Sequence, residues 1–302
     1  MLDRAIPNRA SKEAVHDARE PLPDGRGSGQ DGGPRHASTV MTERVWRLGA
    51  VSYLNTKPLI EGLAEDPSVE LVFDVPAKLP ALLASRAVDA ALVPMIDLLA
   101  EGRDWRIVSD ACIGCDGETL TVRVFSRVPA PSIRTLYVDG DSHTSVALAR
   151  IIWKERHGRK LDILPFTGSE TVGECEAVLL IGDKVINHKL IGYDIQTDLG
   201  QAWKSLTSLP FVFAAWAAPR DLDVTGLAER LSAARDAGVK AAAMIAADVG
   251  PGLGWPVELA KRYLTSRLKF TLSPRHRLGM ERFLELAKAN DLVRPDRELV
   301  FA

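Results

Sequence analysis

The architecture of this chain is set by one stretch, Gly49-Ala50-Val51-Ser52-Tyr53-Leu54-Asn55-Thr56-Lys57-Pro58-Leu59. The apolar residues from Trp46 to Val51 predict a β-strand, and a helix is predicted to start at Pro58. A strand that ends in a helix start places amides and hydroxyls at the carboxyl edge of a sheet, where open α/β folds bind ligands. The side chains of Ser52, Asn55 and Thr56 therefore suit an anion, although an ordinary polar turn has the same composition.

Short apolar strands alternate with helical segments after this stretch, which predicts a parallel or mixed sheet with helices on its faces. Further strands are predicted at Val69–Asp74, Ala90–Val93, Thr135–Val138, Leu161–Pro165 and Ala177–Ile181. A helix is predicted from about His143 to Arg156, with its end at Gly158. Two apolar runs, residues 119–126 and 209–216, are interpreted as crossings between two α/β units. The expected fold is α/β with two lobes, two hinge crossovers and a ligand cleft between the lobes.

The predicted domain organisation has three parts. Residues 45–125 and 212–302, with C-terminal helices, form lobe 1, and residues 126–211 form lobe 2. Residues 1–44 are rich in Pro and Gly and lack aliphatic periodicity, so we expect a disordered extension. Met41 lies just before the first strand, which favours a natural start there over a regulatory tail.

A second strand end also leads into a helix start, in Val138-Asp139-Gly140-Asp141-Ser142-His143-Thr144-Ser145. Gly140 permits a close backbone approach, and the hydroxyls of Ser142, Thr144 and Ser145 with the free helix amides can hold a carboxylate. Simple N-capping needs only one of these hydroxyls and stays open as an interpretation. Two such turns on two lobes predict a ligand with two carboxylates that is clamped between them.

A third strand breaks at Gly182-Asp183, after Leu180 and Ile181. Asp183 either accepts a hydrogen bond from a ligand hydroxyl or caps the following turn. Gly182 and Asp183 are therefore added to the candidate binding residues.

Composition excludes several classes of function. The net charge of −2 provides no basic field for nucleic acid, and no apolar run is long enough to cross a bilayer. The odd number of cysteines and the absence of a secretory signal predict a cytoplasmic protein. Cys112-Ile113-Gly114-Cys115 leaves open a redox or metal site and a pair of free thiols. Gly-rich nucleotide motifs and a nucleophile elbow are absent from the sequence.

These motifs together resemble the chorismate dehydratase family. The resemblance runs in order from Arg47 to the C-terminus, and its motifs are Val51 to Leu59, Val88 to Pro94, Ser142 to Leu148, Leu180 to Asp183, Asp198-Leu199-Gly200 with Trp203, Leu209 to Trp216, and Tyr263-Leu264-Thr265. It implies a type II periplasmic-binding-protein-like fold and the removal of water from chorismate to give 3-[(1-carboxyvinyl)oxy]benzoate. That reaction is the first step of the futalosine pathway of menaquinone biosynthesis, and no metal or organic cofactor is implied.

The resemblance also implies roles for individual residues. Asn55 is expected at the reacting ring as the catalytic residue, with Ser52, Tyr53 and Thr56 beside it. Thr144 and Ser145 are expected to bind a carboxylate. At His143 the sequence departs from the family, where Arg is expected, so any charge assistance there depends on protonation.

Two other functions stay open. One is a non-catalytic binding protein or sensor for a small dicarboxylate, and the other is the sister 1,4-dihydroxy-6-naphthoate synthase, which is expected to open with a different motif. The expected partner is the small molecule alone, with no nucleic acid and no membrane. Both a monomer and a homodimer remain compatible with the sequence.

Overall fold

The structure is a computed structural model that describes residues 44–168, 175–188 and 190–302. The predicted disorder of the N-terminal extension lies outside the described residues, apart from Arg44. Within the described ranges no helix is long and apolar enough to cross a membrane.

Eleven strands are present in the described part of the chain. They are β1 (Trp46–Val51), β2 (Val69–Asp74), β3 (Ala90–Pro94), β4 (Trp105–Cys115), β5 (Val122–Ser126), β6 (Thr135–Val138), β7 (Asp162–Pro165), β8 (Ala177–Ile181), β9 (Ile195–Asp198), β10 (Phe211–Pro219) and β11 (Leu268–Thr271). The helices are α1 (Leu79–Ala84), α2 (Met95–Leu98), α3 (His143–His157), α4 (Lys184–Asn187), α5 (Leu199–Thr207), α6 (Leu227–Lys240), α7 (Ala242–Val249), α8 (Val257–Arg262) and α9 (Pro274–Ala289).

The strands form two sheets, one in each lobe. The first has the order β11-β4-β10-β3-β1-β2, and the second has the order β7-β6-β8-β5-β9. Strand β1 pairs parallel with β2 and β3, and β6 pairs parallel with β7 and β8. Strands β3 and β8 are buried along their whole length, as expected where helices cover both faces of parallel strands. The carboxyl ends of the parallel strands in both sheets lead into the candidate binding turns, and the predicted two-lobed α/β fold is confirmed.

The chain passes between the sheets twice. Residues 116–121 connect β4 to β5, and residues 208–210 connect α5 to β10. Residues 122–125, which were predicted to belong to lobe 1, pair with β8 and β9 in the second sheet. The predicted boundary at residue 125 is therefore wrong by a few residues, because the apolar run 119–126 joins a short non-strand crossing to an inner strand.

Local signals explain where helix α3 begins and ends. The Ser142 hydroxyl accepts a hydrogen bond from the amide of Ser145 and caps the first turn, and Gly158 ends the helix in the left-handed conformation. Both ends lie where the sequence predicts them. The predicted helix at Pro58 is instead a 3₁₀ turn over Leu54–Leu59, and the predicted helix Pro256–Arg267 ends in a π-helical turn over Tyr263–Arg267.

The three cysteines are free and buried. Burial raises the pKa of the Cys112 thiol to about 12. Cys112 and Cys115 lie inside the first sheet, and no group of three His, Cys, Asp or Glu side chains in the described residues is placed to hold a metal ion.

Candidate functional site

A cavity lies between the two sheets, at the ends of their parallel strands. Its empty volume, including its mouth, is about 570 Å³, which is in the range of small-molecule sites. Its polar lining comes from Tyr53, Asn55, Thr119, Thr121, Ser142, Ser145 and Tyr263. The remaining lining is apolar apart from Gly182, and none of the described lining residues is charged. Any ligand carboxylate in this cavity is therefore held by neutral donors.

The 3₁₀ turn after β1 places Asn55 in the cavity wall. Asn55 Oδ1 accepts a hydrogen bond from the Thr56 hydroxyl at 3.3 Å, and Thr56 itself is fully buried. The amide of Thr56 is bonded to the carbonyl of Tyr53. Ser52 is exposed and, like Thr56, lies outside the cavity lining. Of the four predicted residues in this turn, the structure brings Tyr53 and Asn55 to the cavity.

Tyr53 connects the two lobes. Its hydroxyl donates a hydrogen bond of 2.8 Å to Asp141 Oδ2, and Asp141 also forms an ion pair with Lys184. Burial and the neighbouring Asp141 carboxylate raise the pKa of Tyr53. Tyr53 therefore stays protonated near neutral pH and is a donor in the cavity wall.

The Tyr53 ring packs directly on Gly182, the residue after β8. A Cβ atom at Gly182 would lie 2.7 Å from the ring, and the φ angle of Gly182 is +59°. Both constraints require glycine there. Gly182 thus shapes the cavity through its lack of a side chain.

The start of α3 forms the opposite wall. The hydroxyl of Ser142 donates to the hydroxyl of Ser145 at 2.8 Å, which leaves the Ser145 proton available to the cavity. The first amides of α3 have no partner within the helix. The start of α3 therefore offers a hydroxyl and main-chain donors to a carboxylate.

The other predicted residues near this turn serve the contact between the lobes. The Thr144 hydroxyl accepts a hydrogen bond from the amide of Ile96 at 3.2 Å and does not line the cavity. Gly140 is exposed with φ +81°, in the turn that Asp139 closes by accepting from the amide of Asp141. These contacts position the start of α3 over the cavity.

Asp183 is a buried connection between the lobes. Its carboxylate accepts from the amide of Leu54 at 3.3 Å and from Trp255 Nε1 at 2.8 Å. Burial raises its pKa, and these two donors oppose that change. Because the carboxylate faces Leu54 and Trp255 and is absent from the cavity lining, it positions the 3₁₀ turn that carries Asn55.

Three polar residues of the cavity were not predicted as site residues, namely Thr119, Thr121 and Tyr263. The first two lie on the crossing between β4 and β5, whose backbone is held by Asp198: its carboxylate accepts from the amides of Thr119 and Leu120 at 2.9 to 3.1 Å. Tyr263 lies in the π-helical turn. The sequence gives no local signal for their place in the site, because each reaches the cavity from a distant segment.

Comparison with known proteins finds related chains. A family model described as menaquinone biosynthesis matches residues 46–289. The curated chorismate dehydratase of Thermus thermophilus is 29% identical over 259 residues, which cover 80% of this chain and 95% of that protein.

Solved structures with the same fold are more distant in sequence. The alkanesulfonate-binding protein of Xanthomonas axonopodis pv. citri has a TM-score of 0.62 at 14% identity, covering 85% of this chain and 96% of its own. The periplasmic aliphatic sulphonate binding protein of Escherichia coli has a TM-score of 0.58 at 14% identity, covering 84% and 95%. These likenesses show a periplasmic-binding-protein-like fold.

Proposed function

Because this chain belongs to the menaquinone biosynthesis family, we propose that it removes water from chorismate to give 3-[(1-carboxyvinyl)oxy]benzoate. The observation that carries the proposal is the uncharged cavity with Asn55 on one wall and the start of α3 on the other. The relative named chorismate dehydratase supports the choice of substrate and reaction.

One substrate carboxylate binds at the start of α3. Ser145 donates its hydroxyl proton, and the free amides of the first turn add main-chain donors. Thr144 contributes only its main chain, because its hydroxyl is engaged by Ile96. The other end of the substrate lies against Asn55, Tyr53 and the crossing that carries Thr119.

Asn55 holds the departing C4 hydroxyl. Loss of this hydroxyl and of the C3 proton makes the ring aromatic, so the driving force is in the substrate and orientation contributes most. In chorismate the two ring oxygens are trans, and the C4 hydroxyl and the C3 hydrogen therefore lie on the same face. A single group on that face can take the proton and deliver it to the leaving oxygen.

The enolpyruvyl carboxylate of the substrate is that group. The described cavity residues include no carboxylate or imidazole, and burial raises the pKa of both tyrosines, so neither is a base near neutral pH. A carboxylate transferred from water into this uncharged cavity becomes more basic, because desolvation disfavours its charged form. The same cavity that binds the substrate thus increases the basicity of the substrate's own carboxylate.

A binding protein or sensor for a small dicarboxylate is the second candidate, since solved structures with this fold include sulfonate-binding proteins. The sister 1,4-dihydroxy-6-naphthoate synthase activity is a third candidate with the same fold. For the first candidate we also propose a cytoplasmic location and a place in the futalosine pathway. Three buried free thiols support a reducing compartment.

The experiment is incubation of the purified protein with chorismate, with the product identified by mass. The expected product is lighter than chorismate by one water and absorbs as an aromatic ring. Binding without consumption would favour the second candidate. Asn55→Ala is expected to lower turnover by about 100-fold or more, as for other donors to a reacting oxygen. Gln201→Ala, an exposed amide outside the cavity lining, is the matched control and should retain wild-type turnover.

A further inference from the structure

Tyr263 is a buried tyrosine whose hydroxyl lies in the wall of the cavity. The side chain is 1% exposed, and its hydroxyl is 2.7 Å from Thr121 Oγ1. The hydroxyl also forms a hydrogen bond with the side chain of Asn55. Tyr263 therefore joins the crossing between the lobes to the residue proposed to hold the leaving hydroxyl.

The hydrogen bonds around Asn55 have a direction. Asn55 Oδ1 accepts from the Thr56 hydroxyl, so the end of the amide that faces Tyr263 is the NH₂ group, a donor. Tyr263 accepts from this group, and its single proton is then directed to Thr121 Oγ1. The order Thr56 to Asn55 to Tyr263 to Thr121 gives each hydroxyl one donor and one acceptor role. This order determines which end of the amide carries the oxygen.

The ring of Tyr263 is itself held in place. It stacks on Trp255 with the ring centroids 4.8 Å apart and the planes 15° from parallel. It begins the π-helical turn Tyr263–Arg267, and such turns are rare and occur often at functional sites. Trp255 donates to Asp183, which holds the amide of Leu54. The tyrosine and the turn that carries Asn55 are thus fixed to the same frame.

We propose that Tyr263 is a positioning residue that fixes the orientation of the Asn55 side-chain amide, with Thr121 completing the hydrogen-bond chain. This inference rests on the proposed dehydration of chorismate. One NH of the Asn55 amide binds Tyr263, and the other remains to donate to the leaving hydroxyl. Without the Tyr263 oxygen, the amide loses the acceptor that distinguishes its two ends. It can then present its oxygen to the leaving group, where a donor is needed.

The first test is Tyr263→Phe, which keeps the ring and its stacking on Trp255 and removes only the hydroxyl. We expect kcat to fall roughly 10- to 100-fold, as for a misplaced catalytic group, with KM changed by less than about threefold. Thr121→Val should lower kcat in the same direction by a smaller factor. Thr121→Ser keeps the hydroxyl and should retain most of the wild-type kcat.

A double substitution separates positioning from general support of the fold. If Tyr263 acts through Asn55, Tyr263→Phe should lower turnover little further in an Asn55→Ala background. A wild-type kcat for Tyr263→Phe, or a full additional loss in the Asn55→Ala background, would overturn the positioning role. Wild-type protein that leaves chorismate intact would instead refute the proposed function. The wild-type measurement therefore distinguishes the two failures.

Discussion

Nδ1 of His143 lies 2.9 Å from the carboxylate of Asp97. His143 begins α3 in the second lobe, and Asp97 belongs to α2 in the first lobe, so the pair joins the lobes beside the cavity. The adjacent bond from Ile96 to Thr144 links the same two helices. The histidine proposed from the sequence as a charged ligand group is thus half-exposed and paired with a carboxylate of the other lobe.

The first prediction concerns the pH dependence of stability. The hydrogen bond and the charge of Asp97 raise the pKa of His143 above its ordinary value. The pair therefore stabilises the fold fully below the unfolded-state pKa and loses this contribution as pH rises through the folded-state pKa. We expect the melting temperature of wild type to exceed that of His143→Gln by more at about pH 5.5 than at about pH 8.5.

Asp97→Asn is the matched control for this pair. It leaves the imidazole and removes the charge, so the pH-dependent part of the difference should disappear in an Asp97→Asn background. A difference between wild type and His143→Gln that is the same at both pH values would contradict the prediction.

The second prediction tests the contact between Gly182 and Tyr53. Gly182→Ala imposes a left-handed conformation on alanine and places its Cβ against the Tyr53 ring. The conformation costs roughly 1–2 kcal/mol, and the clash adds about 1–3 kcal/mol to the loss of unfolding free energy. Turnover should also fall because the ring lines the cavity. Chemical denaturation and turnover measure both effects.

Gly226→Ala is the control for Gly182→Ala. Gly226 has φ +77° at the start of α6, and no atom lies within 4 Å of the added Cβ. It should lose only the conformational part of the free energy and keep wild-type turnover. Equal losses for the two variants would show that the contact with Tyr53 has no effect.

Sequence patterns with a local cause predicted the structure well. The strands Trp46–Val51, Val69–Asp74 and Ala177–Ile181 have the predicted bounds because each is a short apolar run between turn residues. Helix α3 has its predicted ends because Ser142 and Gly158 satisfy its first amides and last carbonyls. The first turn of α3 and the turn after β1 were recognised for the same reason.

Features that depend on tertiary contacts were not predicted. Strand β4 is the longest described strand, yet Asp110 and Gly114 interrupt its apolar pattern, and its pairing with β10 is irregular. The hydroxyl of Tyr263 has its role through Asn55, which is more than 200 positions away. The sequence also could not show that Thr144 and Asp183 bond to the opposite lobe, because a hydroxyl or carboxylate at a strand end suits a ligand and a neighbouring backbone equally.

The third prediction concerns Asp198, which caps α5 and holds the crossing between the lobes. Its carboxylate accepts from the amides of Gln201, Thr119 and Leu120, and Leu120 has a strained φ of +74°. Asp198→Ala leaves these amides without an acceptor, and we expect a loss of about 1–3 kcal/mol of unfolding free energy. Turnover should fall as well, because Thr119 lines the cavity.

Ser273→Ala provides the comparison for Asp198→Ala. Ser273 caps α9 in the same way by accepting from the amide of His276, but it does not bond to the cavity wall. Its loss should lower stability by about 1 kcal/mol with turnover unchanged. If Asp198→Ala kept wild-type turnover after correction for its folded fraction, the crossing would not need this anchor.

The final prediction concerns Gly238, which lets α6 pack closely on the turn that carries Asn55. A Cβ at Gly238 would overlap the carbonyl oxygen of Pro58. Alanine in a helix is intrinsically better than glycine by roughly 0.5–1 kcal/mol, but overpacking against a fixed backbone costs about 1–3 kcal/mol. Gly238→Ala should therefore destabilise the protein. It should also lower kcat, since Pro58 and Asn55 belong to the same 3₁₀ turn.

Gly252→Ala is the matched control, because its Cβ would enter open space and its φ is not positive. It should leave both stability and turnover close to wild type. The comparison separates the general effect of replacing glycine from displacement of the Asn55 turn. A Gly238→Ala variant with unchanged kcat and reduced stability would mean that α6 yields to the added methyl group. The position of Asn55 would then be determined by Asp183 and Tyr263 alone.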